Sequence, residues 1–293
     1  MAPVVRVKSI RSYSSGMASA RRRPSSGTPS SAGGGGASAS RDAAYDPSAF
    51  PAFAVTVDVV VFTLDGGRLH VLLVQRGTPP HERAWALPGG FVLPREGLEE
   101  AARRELAEET GVESGPRHLE QLGAYGDPDR DPRMRVVTVA WWAVIPELPT
   151  PQAGSDAAFA DLIGVDEILD GQLELAFDHR QILEDALEAL RQRLEDTTLA
   201  SAFEPGPFRI SDLRRVYEAV WGVRLEPGNF QRKVRKVPGW LEPCAEEEML
   251  SMRLDEQEAA PGRPAQYFRA PDSIRAMLSP MRRPEEDDPD AAF

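Results

Sequence analysis

Cysteine is almost missing from this chain of 293 residues: Cys244 is its one thiol. A single thiol forms no intramolecular disulfide and no cysteine metal cage, and on its own it reads as a small hydrophobe. Long apolar runs are missing too. The longest, around Val136–Ile145, covers about ten residues, whereas a membrane-spanning helix needs about twenty. Nor is there an excess of positive charge, since 34 Lys and Arg face 46 Asp and Glu, for a formal charge of −12 and a pI near 5.0. That balance suits a soluble, cytoplasmic protein and excludes one that coats nucleic acid indiscriminately. Any contact with DNA has to come from a local basic patch.

Residues 1–48 have no acid before Asp42, are rich in Ser, Gly, Ala and Arg, and include Gly33–Gly36 in a row. Such a segment buries too little apolar surface to offset its ordering entropy, so disorder is expected. Two other readings stay open: a transit peptide, though without an amphipathic period, and an over-extended start with Met17 as a later initiator. A first domain is expected over 49–200. Ala54–Thr63 is β-branched and reads as a strand, Asp65-Gly66-Gly67 as a turn, and Leu69–Gln75 as the returning strand. Leu122–Tyr125 and Met134–Ile145 are further strands around a polar loop, Gly126–Arg133. Ile182, Leu183, Ala186, Leu187 and Leu190 fall at helical spacing within Asp178–Leu194. Strands with two substantial helices predict a mixed α/β sandwich. Trp85 is a candidate to stack on a base and equally a core residue; His179 is expected to cap or pack at the start of its helix.

The most informative stretch is 88–112. A glycine turn leads into a helix over Leu98–Thr110 that carries Glu105, Glu108 and Glu109 at i, i+3 and i+4. That spacing puts three carboxylates on one face, where like charges repel. Leu98, Ala102 and Leu106 form the expected buried stripe, with Gly111 placed for an αL cap. Glu99–Arg103, Glu100–Arg104 and Arg104–Glu108 are i, i+4 pairs that would relieve the repulsion on a merely solvated surface. The alternative is a hard oxygen site of the kind Mg²⁺ uses beside phosphates, with a backbone carbonyl of Gly89-Gly90 joining it.

Gly90-x5-Glu96-x7-Arg104-Glu105-Leu106-x-Glu108-Glu109-x-Gly111-Val112 resembles the Nudix box at all nine of its fixed positions. The resemblance implies the Nudix α/β/α sandwich and hydrolysis of a nucleoside diphosphate linked to another moiety. It implies Mg²⁺ or Mn²⁺ held by Glu105, Glu108, Glu109 and the Gly90 carbonyl, with Glu96 pairing Arg104 to orient the helix. For the catalytic base, Glu105 and Asp156 are both candidates. The loop Arg130-Asp131-Pro132-Arg133 resembles that of ADP-ribose-directed Nudix proteins, whose arginines suit phosphate or ribose. With Gly89 and Gly90, Arg130 and Arg133 are the expected substrate contacts.

Past a boundary near 195–202 the charge changes sign. Residues 203–240 hold eight basic residues against four acids. Ser211 is the expected N-cap of a helix running through Trp221 to a stop at Gly222, and a second helix opens around Pro227–Asn229. That second helix turns Phe230, Val234 and Val237 inward and Arg232, Lys233, Arg235 and Lys236 outward, as a recognition helix in a major groove does. Gln266–Arg269 is a strand candidate. Phe208–Tyr217, Asn229-Phe230-x-Arg232-Lys233 and Arg263-Pro264-Ala265-x-x-Phe268 are similar to the winged helix-turn-helix half of the Nudix-related transcriptional regulators, the NrtR family. That resemblance implies a DNA-binding domain over 203–272, Asn229 among its DNA contacts, double-stranded DNA and ADP-ribose as partners, and a homodimer. Two departures stand out. Many of those regulators have an eroded Nudix box, whereas this one is intact. Glu246-Glu247-Glu248 is acidic where a wing would approach phosphates. Residues 273–293 are expected to be a disordered acidic tail.

Overall fold

The computed structural model describes residues 50–110, 116–146, 148, 157–204, 206–245, 266–271, 273–277 and 280–284, with backbone alone at 109, 110, 157 and 158. The segment 1–48, the αL cap at Gly111, Arg263–Ala265 and the acidic runs at 246–258 and 285–288 lie outside these residues, but 273–277 and 280–284 of the expected tail are described, with Met277 and Met281 buried.

Strand β1 (Ala54–Asp65) returns as β2 (Arg68–Arg76) through Gly66-Gly67. Both glycines have positive φ, 55° and 78°, as a two-residue hairpin turn of this type requires. Then come β3 (Trp85–Ala86), β4 (Gly89–Phe91), helix α1 (Leu98–Thr110), β5 (His118–Tyr125), β6 (Val136–Val144) and β7 (Ala157–Gly164). All the strands join one seven-stranded sheet, ordered β3-β2-β1-β6-β5, with β4 on β1 and β7 on β2. β1 and β6 run parallel and the other named strand pairs antiparallel, so the sheet is mixed. Helices α2 (Val165–Leu169) and α3 (His179–Asp196) follow.

Alternation along each strand sorts the core into two faces. Val57, Val59 and Val61 of β1 meet Ala101, Ala102 and Leu106 of α1. Val60 and Phe62 share the other face with Ile182, Leu183, Ala186 and Leu190 of α3. The result is the expected α/β/α sandwich. Leu98 is a correction: it is 36% exposed, and Ala101 and Ala102 make the close contact instead. Leu98 opens the helix, at the margin of the packed face, so its spacing to Ala102 does not secure burial.

After a short 3-10 helix, Leu199–Phe203, come α4 (Ile210–Trp221), α5 (Pro227–Val234) and a two-stranded ribbon of β8 (Glu242–Pro243) and β9 (Phe268–Arg269). Phe208 adds a bridge to Phe268. Ser211 does not cap α4. The N-cap is Arg209, two residues earlier, and the Asp212 carboxylate accepts its N–H at 2.8 Å. An ionised carboxylate three residues in is the stronger acceptor for that N–H. Gly222 ends α4 with φ 73°, as expected. The Glu226 carboxylate caps α5 through Gly228 N–H and Asn229 N–H.

The stretch 195–202, expected as a boundary, is packed: Leu199 and Ala200 are fully buried. One hydrophobic cluster runs from Val60 and Trp142 of the sheet through Leu190 to Val216 and Trp240. Among the described residues, no helix is long and apolar enough to cross a membrane. Leu190→Ala should cost about 2–5 kcal/mol, the usual range for a buried leucine. Because the cluster is shared, thermal melting should show a single transition moved down rather than two that separate.

Candidate active site

The site starts from backbone. Pairing of β4 with β1 sets Gly89 level with Asp58 and Gly90 level with Val57. A Cβ on Gly90 would lie 2.3 Å from Glu105 Oε1, and one on Gly89 would lie 2.2 Å from the Val57 carbonyl oxygen. Gly89 meets fixed backbone, so glycine is a spatial requirement there, whereas at Gly90 a Cβ would push aside the carboxylate end of the Glu105 side chain. Behind Gly90, Glu105 is only 9% exposed. Burial raises its carboxyl pKa, and the Arg104 guanidinium opposes that rise.

Arg104 ties the box together. Its Nε and Nη2 donate to the two oxygens of Glu96 at 2.6 and 2.9 Å, and Nη1 donates to Glu105 at 2.7 Å and Glu108 at 3.1 Å. The Phe91 carbonyl accepts from Nη2 at 3.1 Å. Glu96 also accepts the Leu93 N–H, and these bonds, Arg104's first, hold its carboxyl down to about 2. The Glu100–Arg104 pair does not form. Glu100 accepts the Gly97 N–H at 2.8 Å instead, since Arg104 is already taken up by Glu96. The Glu99–Arg103 pair is present at 2.9 Å.

The donors in hand suit a hard divalent cation: the Gly90 backbone, the buried Glu105 carboxylate and the exposed Glu108 carboxylate. Burying a carboxylate costs several kcal/mol unless a positive charge accompanies it. Here the close fit of Glu105 against Gly90 keeps its oxygens at the backbone. Among the described residues, no three acidic, His or Cys side chains converge as a cage. The Glu109 side chain and the whole of Asp156 lie outside those residues.

Beside the glycines a cleft opens on the α3 side of the sheet. Arg130 and Arg133 both line it, and both have carboxylate partners. Arg130 grips Asp178 with two bonds, 2.7 and 2.9 Å, and reaches Asp58 at 3.3 Å. Arg133 grips Asp131 in its own loop at 2.7 and 3.0 Å, but stays 44% exposed at the rim. His179 is buried, as expected, and its Nδ1 accepts the Leu87 N–H at 2.9 Å. Nε2, which bears the proton in that tautomer, faces Asp58 Oδ1 at 3.5 Å. Burial lowers the His179 pKa and keeps the ring neutral at pH 7. Trp85 is half-buried, edge-on to Phe159 at 6.1 Å. Asp58 is the residue that sequence reasoning passed over. An acid inside the β-branched run Val57–Val61 was the available signal.

The NUDIX domain family model matches residues 52–186. Over 229 residues the chain is 34% identical to the ADPR-responsive transcriptional repressor NtrR of Acinetobacter baylyi, spanning 78% of this chain and 86% of that protein. The chain belongs to the Nudix-related transcriptional regulators. An ADP-ribose pyrophosphatase of Methanocaldococcus jannaschii is 39% identical over 117 residues, 39% of this chain and 64% of that protein. The crystal structure of Shewanella oneidensis NrtR complexed with a 27mer DNA matches at a TM-score of 0.63 and 30% identity, covering 78% of this chain and 99% of that one.

In this chain α5 carries Phe230 and Val234 inward, and Val237 is buried just beyond. Arg232, Arg235 and Lys236 are exposed, while Asn229 and Lys233 are half-buried. The helix proper ends at Val234, so Arg235 and Lys236 extend its line from the following turn. Arg235 donates to Gln266 at 3.0 Å.

Gly90→Ala should displace Glu105 and lower stability by about 1–3 kcal/mol in a melting experiment, as overpacking does. His179 sets a pH dependence. Its folded pKa is depressed below the ordinary 6.5, so its contribution is complete above that pH. Below it the unfolded chain takes up a proton that the folded chain refuses, and stability falls by up to about 1.4 kcal/mol per pH unit. Melting curves from pH 7.5 to 5 should show this loss, and a shallower one in His179→Gln.

Proposed function

We propose that the chain is a Mg²⁺- or Mn²⁺-dependent Nudix hydrolase that cleaves the diphosphate of ADP-ribose or a related nucleoside diphosphate derivative. The same chain binds double-stranded DNA and regulates NAD-related genes from the cytoplasm. The observation that carries the hydrolase reading is Glu105, buried against a glycine that alone leaves it room and steadied by the Glu96–Arg104 pair. The Gly90 carbonyl, Glu105, Glu108 and Glu109 would hold the ion. Once bound, a divalent ion of this kind screens phosphate charge and activates water for attack at phosphorus. Glu96 and Arg104 fix the helix, and Gly89 and Gly90 let phosphate approach the backbone. Arg133, at the rim, exchanges Asp131 for a ligand phosphate, and Arg130 holds the wall behind it. Glu105 and Asp156 are the candidate bases. The raised pKa of Glu105 suits proton uptake closer to neutral pH.

DNA binding is assigned to the winged helix-turn-helix of α4, α5 and the β8–β9 ribbon. Arg232, Arg235 and Lys236 supply phosphate contacts, and Asn229 and Lys233 reach toward base edges. A homodimer would present two copies of α5 to successive major grooves.

One observation favours a second reading, a repressor that senses ADP-ribose without cleaving it. Arg104 Nη1 already bridges Glu105 and Glu108, an internal cation beside the place where the ion would bind. Incubation with ADP-ribose and Mg²⁺ decides between them. The hydrolase releases AMP, stops with a chelator, and slows at least about 100-fold in Glu109→Gln. Binding without AMP release would leave the sensor. For the DNA half, a gel shift on DNA upstream of its own gene should show binding at low salt. Arg232→Ala combined with Lys236→Ala should weaken it and flatten its salt dependence by about one unit of slope for each phosphate no longer neutralised.

A further inference from the structure

Helices α4 and α5 treat their cations differently. On α4, Arg214 pairs with Glu218 at 2.8 Å, and Asp212 pairs with both Arg215 and the capping Arg209. On the exposed side of α5 and of the turn after it, Arg232 and Lys236 have no carboxylate partner among the described residues. Arg235, between them, bonds the neutral Gln266. Three cations within five positions repel one another and favour a negative partner. A fourth exposed cation, Arg282, comes from the far end of the chain, and it too has no carboxylate partner among the described residues. Its neighbours anchor that end on α3: the Met281 N–H donates to the Glu195 carbonyl at 2.8 Å, and the Arg283 N–H to the Glu195 carboxylate at 3.2 Å. One tyrosine spans from this anchor to α5. The Tyr217 hydroxyl bonds the adjacent Leu194 carbonyl at 2.8 Å, while its ring meets Phe230 at 5.4 Å. The charge of Arg282 also acts on α5, where, after burial, it lowers the Lys233 pKa.

From this anchor the sequence continues, after Pro284, as Glu285-Glu286-Asp287-Asp288-Pro289-Asp290. Five carboxylates in six positions complement the four cations, and the tether brings them within range. The nine residues 285–293 span at most about 30 Å when extended, roughly three helix diameters. A segment held on so short a leash acts at an effective concentration in the millimolar range. Even weak ion pairs then compete with a ligand that arrives from solution. We propose that the acidic segment 285–290 docks on the cationic face of Arg232, Arg235, Lys236 and Arg282 and competes there with DNA. The chain thus carries its own rival for the surface. The competition rests on the DNA-binding reading; the docking itself does not.

Lys8, Lys233 and Lys236 are the lysines of the chain, so zero-length carbodiimide cross-linking of the full-length protein reads the docking directly. At low salt the monomer band should contain a link from Lys236 to an acid of 285–290, located by mass spectrometry. Raising the salt to about 0.5 M should abolish it by screening. Fluorescence anisotropy on DNA upstream of its own gene would then compare wild type with a variant carrying Glu285→Gln, Glu286→Gln, Asp287→Asn, Asp288→Asn and Asp290→Asn. The variant should melt with wild type and bind DNA about three- to tenfold more tightly at low salt. The two affinities should converge as salt rises, because the competing segment is screened along with the DNA. No link from Lys236 to 285–290 in the monomer band, or links to Glu246–Glu248 alone, would overturn the docking. A link with equal DNA affinity in the two proteins would overturn the competition. No DNA binding by either protein would overturn the DNA-binding reading and the competition with it, while the cross-link would still decide the docking.

Discussion

The last four backbone carbonyls of an isolated α3, those of Arg193 to Asp196, would have no partner. In the protein each accepts a hydrogen bond. The Arg193 carbonyl takes the Thr197 N–H and hydroxyl, that of Leu194 takes the Tyr217 hydroxyl, that of Glu195 takes the Met281 N–H, and that of Asp196 takes the Met277 N–H. A buried carbonyl left bare costs about 1–3 kcal/mol, so these partners are a condition for the helix to end where it does. At its other end α3 presents Asp178 to Arg130 and His179 to the Leu87 N–H. One helix is thus finished by the cleft at its start and by the C-terminal helices and segment at its end. The shared core follows from that arrangement.

The two arginines that organise the site solve one electrostatic problem in different ways. Arg104 serves three carboxylates, and the surplus negative charge faces solvent through Glu108. Arg130 is more deeply buried and serves two, one through short paired bonds and one through a long contact. Paired guanidinium–carboxylate geometry is the arrangement that best offsets desolvation. The site therefore has a firm side at Asp178 and Glu96 and a looser side at Asp58 and Glu108.

What the sequence made legible follows from periodicity and from close packing. The hairpin at Gly66-Gly67, α1, the inward face of α3 and the stop at Gly222 each express a local rule, and each is where that rule places it. The Glu96–Arg104 pair came from the box pattern rather than from helical spacing, because its partners are eight residues apart. Helical spacing alone favoured Glu100–Arg104, which loses to it. Strand β7 and helix α2 were not read. β7 is held by long-range pairing with β2, which no local pattern reports. Asp178 and Asp58 were missed as partners of Arg130 because they lie 48 and 72 residues away. Loop arginines look free in a sequence; only the fold says which acids they meet.

The finish of α3 also bears on the order in which the molecule can be completed. Thr198 bonds Arg275 across 77 positions of chain, and Glu195 bonds Arg283 across 88. During synthesis at about 5–20 residues per second, α3 emerges several seconds before the segment that satisfies its final carbonyls. Over that interval its end must stay hydrated or frayed, and the apolar face meant for α4 stays uncovered. A nascent chain paused in this window exposes a junction that is buried in the finished protein, at Leu199 and Ala200.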